Sequence, residues 1–107
     1  MTEKQFNDIK DWQNKTFKKA TAISKLNHLT LEVKELASEL IKRNHGIPNN
    51  EALLFELADC QILIAGIIDK SGFNYQDICK AIEDKMEKNK KRQWKKPNEH
   101  GIYFHKK

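Results

Sequence analysis

Apolar side chains recur at helical spacing in four segments of the chain, which are separated by short breaks rich in glycine and asparagine. In the last segment, for example, Ile78, Ile82 and Met86 fall on one side of a helix. Neither an alternating strand pattern of useful length nor an internal repeat is present. The pattern predicts an all-α protein, a four-helix bundle with helices over residues 3–14, 24–44, 50–70 and 75–94.

The second and third helices carry most of the apolar side chains. The third, with Asn49 or Asn50 as its N-cap, is apolar nearly all round, so it must be covered on most sides. The second carries an apolar seam spaced for a partner helix, made of Leu26, Leu29, Val33, Leu36 and Leu40. Because one small chain offers the third helix few neighbours, we expect a homodimer or homotetramer.

Two acidic side chains interrupt this apolar third helix. Glu56 and Asp59 are the only charged residues between positions 52 and 68, and they share one helix face. The second helix holds a matching pair, Glu32 and Glu35, again three residues apart. If the two helices form an antiparallel hairpin, the two pairs stand at similar heights above the connecting loop. The four carboxylates are therefore expected to converge.

Four ionised carboxylates at one place repel one another unless a cation lies between them. Hard oxygen ligands favour Mg²⁺ or Mn²⁺ over zinc. Ion pairs with Lys85 or Arg92 on the fourth helix are the alternative explanation. The residues thus predict a divalent metal site, with structural ion pairing as its rival.

The charge is distributed unevenly along the chain. The net charge is +5 over 107 residues. Residues 1–84 carry 11 basic and 13 acidic side chains, whereas residues 85–107 carry 9 basic and 2 acidic. The chain is predicted to be a single domain over residues 1–96, mildly acidic in its body, followed by a basic extension over residues 97–107.

Composition also excludes several classes of protein. The longest apolar run, residues 62–68, is far shorter than a membrane-spanning helix requires, so no membrane partner is expected. The first residues lack the apolar core of a secretory signal, and two cysteines make no disulfide framework. A cytoplasmic protein is the expectation.

Taken together, the motifs resemble the all-α nucleoside triphosphate pyrophosphohydrolases of the MazG-like superfamily, in their short bacterial and phage form. The ExxE pair, a gap of 20 residues and the ExxD pair carry the resemblance. SKLNHLTLEVKEL and FELADCQILIAGIIDKSG surround these pairs, and DWQNKTF and KMEKNKKRQW extend the similarity to both ends. One departure is Leu31, which stands where many members double the first acid. The resemblance therefore leaves open a second metal ion and the identity of the water-activating carboxylate.

The resemblance implies Mg²⁺-dependent hydrolysis of a (deoxy)nucleoside triphosphate between its α- and β-phosphates, to the monophosphate and pyrophosphate. Mn²⁺ is a possible substitute. Such an activity serves nucleotide-pool house-cleaning. The metal ligands implied are Glu32, Glu35, Glu56 and Asp59. One of these carboxylates takes the proton of the attacking water, and Glu35 is the candidate chosen among them.

Further residues are candidates for holding the substrate. Lys85, Asn89 and Arg92 form one stripe on the fourth helix, suited to phosphate oxygens, although surface charge alone also explains such a stripe. Candidates for the base and sugar pocket are Trp12, Gln13, Phe17 and His28, for which ordinary packing is the alternative.

Two other classes of function remain open from the sequence. A small basic helical protein would bind nucleic acid through the +7 tail. That hypothesis leaves Glu56 and Asp59 unexplained, so a nucleic-acid partner is not expected. A helical interaction module without chemistry would be stabilised by leucine in place of Glu56 and Asp59, at no functional cost.

Overall fold

The computed structural model describes all residues from 1 to 107 and confirms an all-α protein. No β-strand is present beyond one isolated antiparallel bridge between Trp94 and His105. No helix has the length and the apolar character needed to cross a membrane. The helices are α1 (Glu3–Thr16), α2 (Ala22–Asn44), α3 (Asn50–Lys70) and α4 (Tyr75–Lys91).

Local side-chain chemistry fixes where the helices begin. Thr2 and Thr21 each accept a hydrogen bond from the backbone N–H three residues ahead, in capping boxes that start α1 and α2. The box at Thr21 places the start of α2 two residues before the predicted position. Asn49 Oδ1 accepts from the N–H of Ala52 at 3.0 Å, which confirms Asn49 as one of the two predicted caps of α3.

The helices α2 and α3 both end in the same C-capping motif. After α3, the N–H of Gly72 donates to Asp69 O and that of Phe73 to Ile68 O, the pattern of a Schellman motif. Gly72 adopts φ +89°, a left-handed conformation that favours glycine. An equivalent pair of hydrogen bonds from Gly46 and Ile47 ends α2 and turns the chain towards α3.

Residues Met1–Tyr75 form one compact unit, in which α3 packs against both α2 and α1. Its buried apolar side chains are few and come from α1 and α3: Phe6, Cys60, Leu63 and Ala65. The ring of Tyr75 meets that of Phe6 edge to face at 5.9 Å, and its hydroxyl donates to Met1 O at 2.9 Å.

The face that α2 turns towards α3 differs from the predicted seam. Leu29 and Leu36 are half-buried, as expected, but Leu26, Val33 and Leu40 remain 45–48% exposed. The places beside Leu29 and Leu36 are instead taken by three charged side chains spaced seven residues apart, Lys25, Glu32 and Glu39. Three charged residues at heptad spacing therefore lie at the contact with α3. The apolar flank of α2, made of Leu26, Val33 and Leu40, stays uncovered.

Residues Gln76–Lys107 form a second unit, which contains most of α4 and an antiparallel hairpin. In the hairpin, the N–H of Lys95 donates to Phe104 O and that of Lys106 to Gln93 O, both at 2.8 Å. The predicted helix over 75–94 is too long by three residues, because Trp94 leaves the helix and its Nε1 donates to Asn89 O at 3.1 Å. The predicted basic extension is thus part of a structured hairpin, while the single domain over 1–96 stays a prediction.

Candidate metal centre and adjoining cleft

Three of the four predicted metal ligands lie together. Oxygens of Glu32 and Glu35 on α2 and of Glu56 on α3 all lie within 4.8 Å of one another. The cause is the one expected from sequence: each pair occupies one helix face, and the antiparallel hairpin brings the two faces together at one height. We call these three side chains the carboxylate cluster.

Asp59, the fourth predicted ligand, lies outside the carboxylate cluster. Its side chain is exposed and lines a neighbouring cleft, one helical turn from Glu56. The structure therefore places Asp59 beside the cluster, and its role as a ligand stays a prediction.

The carboxylate cluster is short of hydrogen-bond donors. One oxygen each of Glu32 and Glu56 is buried without any partner, which is costly for an acceptor atom. Within residues 1–75, the only ion pair that reaches the four predicted ligands joins His28 Nε2 to Glu32 Oε1 at 3.3 Å. An ion pair with Lys85 or Arg92 of the second unit stays an untested alternative.

The crowding has a direct electrostatic effect. Partial burial, together with the neighbouring carboxylates of Glu32 and Glu35, raises the pKa of Glu56 to about 7. The cluster therefore tends to keep a proton near neutral pH, and a divalent cation can take the place of that proton.

A cleft of about 450 Å³ adjoins the cluster and shares Glu32 with it. Its walls come from α1, the turn that follows, α2 and α3. All four residues predicted for a base and sugar pocket line it: Trp12, Gln13, Phe17 and His28. The rings of Trp12 and Phe17 meet edge to face at 5.2 Å and are 56% and 48% exposed, so these two rings are not core residues.

Lys25 belongs to the cleft but was not among the residues predicted for it. This lysine is only 5% exposed, lines the cleft and donates from Nζ to Gln13 Oε1 at 2.6 Å. Its position seven residues before Glu32 was the available signal, since that spacing places both on one face of α2.

The predicted phosphate-binding stripe belongs to the second unit. Lys85 is exposed on α4, Asn89 is half-buried on the same helix, and half-buried Arg92 follows the last helical residue. Phosphate binding by these three side chains stays a prediction.

An all-α chain whose central hairpin sets an ExxE pair opposite an ExxD pair defines a MazG-like nucleotide pyrophosphohydrolase, as the sequence resemblance indicated. The chain belongs to the dATP/dGTP pyrophosphohydrolase family, whose model matches residues 5–105.

The solved structures that share this fold include the cyanophage S-2L MazG-like pyrophosphohydrolase bound to dGDP and three catalytic Mn²⁺ ions per active site. That protein is 20% identical to this chain in sequence. The two structures align with a TM-score of 0.75 over 100% of this chain and 99% of the other. No curated protein matches the chain.

Proposed function

We propose that the chain hydrolyses dATP or dGTP between the α- and β-phosphates, releasing the deoxynucleoside monophosphate and pyrophosphate. The observation that carries this proposal is the carboxylate cluster, with two buried oxygens lacking donors, beside an aromatic-lined cleft. Family membership supports the same substrates. The similar phage enzyme, with dGDP and Mn²⁺ bound, supports a nucleotide and a divalent metal at one site.

The donor set fits a hard divalent cation. Oxygen-only ligands with unpaired, buried atoms suit Mg²⁺, with Mn²⁺ as a substitute. Glu32, Glu35 and Glu56 would hold it, and Asp59 would join them from the cleft wall. When bound, such a cation neutralises phosphate charge and makes water more acidic.

Two side chains of the site have further roles in the reaction, one in orienting a ligand and one in accepting a proton. His28 holds one oxygen of Glu32 by the 3.3 Å contact, which orients that carboxylate. Glu35, the most exposed member of the cluster, accepts the proton of the attacking water. Water supplies a hydroxyl group to one phosphorus atom, and the bridging oxygen departs with the other phosphate.

The other predicted site residues bind the nucleobase, the sugar and the phosphates in this proposal. Trp12 and Phe17 offer flat rings on which a nucleobase can stack, and Gln13 and His28 offer polar contacts in the same cleft. Lys85, Asn89 and Arg92 bind the phosphate oxygens in this proposal. The activity serves house-cleaning of the cytoplasmic nucleotide pool.

The enzyme works as a homodimer or homotetramer in this proposal. The apolar flank of α2 and the exposed side chains of α3, such as Leu54 and Phe55 at 64% and 62% exposure, support a second copy as the covering partner.

Pyrophosphate release from dATP and dGTP, measured with and without Mg²⁺, tests the proposal. We expect release only with the metal, and a loss of at least a hundredfold in kcat for Glu56→Gln. Glu51→Gln, a change of an exposed acid on the same helix, is the matched control and keeps full activity. The absence of metal-dependent release from both nucleotides would overturn the proposed function.

A further inference from the structure

The cleft contains a buried polar pair, and one member of it, Lys25, has no role in the proposed function. Lys25 and Gln13 are 5% and 3% exposed, and we call them the polar wall of the cleft. A buried ammonium group is rare in a small domain unless a partner compensates its desolvation. Here the compensation is the 2.6 Å hydrogen bond to Gln13 Oε1.

The polar wall is held in one orientation. Gln13 Nε2 donates to Ile62 O at 3.2 Å while Gln13 Oε1 accepts from Lys25, so the amide has its two ends fixed by different partners. Gly66 leaves the space for this arrangement, because a Cβ there would collide with Gln13 Oε1.

Most of the polar groups of the wall that still lack a partner are N–H donors. An ammonium group has three N–H donors and no acceptor, and one of the three is used. Gln13 Nε2 likewise keeps one free N–H. Burial, and secondarily Lys70, lowers the pKa of Lys25, whereas Asp69 raises it.

The position of the wall suits the base of a bound nucleotide. Lys25 precedes Glu32 by seven residues, two helical turns or ~10 Å along the same face of α2. Because one cleft is lined by both Glu32 and Lys25, a nucleotide with its phosphates near Glu32 can place its base beside Lys25. The Phe17 ring, with its centroid 5.9 Å from Lys25 Nζ, lies on that side of the cleft too.

We propose that Lys25, supported by Gln13, recognises the O6 and N7 acceptors of guanine and so favours dGTP over dATP. Guanine presents two acceptors on this edge, whereas adenine presents an N6 amino group that faces the N–H donors of the wall. This inference rests on the proposed function, since it places the base of that substrate in the cleft.

Binding of dGDP and dADP to the full chain, in the presence of Mn²⁺, tests the inference by calorimetry without any need for turnover. The wild type is expected to bind dGDP about tenfold more tightly than dADP. Lys25→Met, which keeps the length of the side chain, is expected to remove that preference and leave dADP affinity within threefold. Lys34→Met, an exposed lysine on the same helix, is the control and keeps the preference.

A second measurement uses the wild type alone, so it does not depend on whether a variant folds. Deoxyinosine diphosphate keeps O6 and N7 but lacks the 2-amino group, so its affinity is expected to lie within threefold of that of dGDP. Affinity as weak as that of dADP, equal wild-type binding of dGDP and dADP, or an unchanged preference in Lys25→Met overturns the inference. Selective binding of dGDP without pyrophosphate release contradicts the proposed function alone, while equal turnover of both nucleotides without selective binding contradicts the inference alone.

Discussion

Glu32 on α2 and Glu56 on α3 face each other across the central hairpin, with carboxylate oxygens within 4.8 Å, and each keeps one buried oxygen without a donor. Two acids in this relation repel each other and are poorly solvated. The hairpin holds them together because α2 and α3 pack along much of their length. The energetic cost of this arrangement is the reason to expect a strong response to cations and to protons.

Divalent metal is expected to stabilise the protein. Binding to the folded state alone adds about 2.7 kcal/mol at a metal concentration one hundred times Kd. Differential scanning fluorimetry with Mg²⁺ or Mn²⁺ should therefore show a rise of several degrees in Tm, which Glu56→Gln should abolish. Glu51→Gln should keep the rise, and a rise in Glu56→Gln equal to that of the wild type would contradict the metal site.

The metal-free protein is expected to lose stability as pH increases from about 5 to 7.5. The folded pKa of Glu56 is raised from its ordinary 4.5 to about 7, so between these values the folded state binds more protons than the unfolded state. The free energy of unfolding therefore decreases through this window, and the penalty is fully present above it.

Urea denaturation in the presence of a chelator, at a series of pH values, measures this effect. Glu56→Gln should flatten the curve between pH 5 and 7.5, because the amide does not titrate. Saturating Mn²⁺ should remove the decrease in the wild type, since the cation replaces the proton. A flat curve for the metal-free wild type would contradict the raised pKa.

The helices and the carboxylate cluster were predictable from sequence because both depend on local spacing. Apolar periodicity identified four helices, and the i, i+3 acidic pairs required only that α2 and α3 be antiparallel. The role of Lys25 was not predictable, because a lysine beside Leu26 looks like a solvated residue. Its burial depends on a distant glutamine and on the missing side chain of Gly66, and neither has a local signature.

The end of α4 was predicted wrongly for a similar reason. Helical propensity continues to Trp94, but pairing of the segments around Trp94 and His105 competes with the last helical turn. Such pairing depends on residues 9 to 13 positions away, so a local pattern does not report it. In the predicted seam of α2, Leu29 and Leu36 were correct, but the other three positions were placed one residue too late. Lys25, Glu32 and Glu39, at heptad spacing, take those positions.

Gly66→Ala is expected to destabilise the protein, although alanine is the better helix former by about 1 kcal/mol. The new methyl group collides with Gln13 Oε1 and displaces the acceptor of the buried Lys25 ammonium. A net loss of roughly 1–3 kcal/mol in the free energy of unfolding follows. In a Gln13→Ala background the same change should cost less, and an equal cost in both backgrounds would show that Gln13 is not the obstacle.

Leu54→Lys is expected to break the predicted self-association. Leu54 is 64% exposed on α3 and lines an apolar groove between α1 and α3, so a second copy that covers α3 would have to bury the new charge. Sedimentation should give a dimer or tetramer for the wild type and a monomer for the variant. Ile102→Lys, a change at an apolar residue of 48% exposure in the C-terminal hairpin, is the control. It should keep the wild-type mass, because the prediction places the partner on α2 and α3. A monomeric wild type would refute the expected assembly and would leave the exposed faces of both helices to another partner.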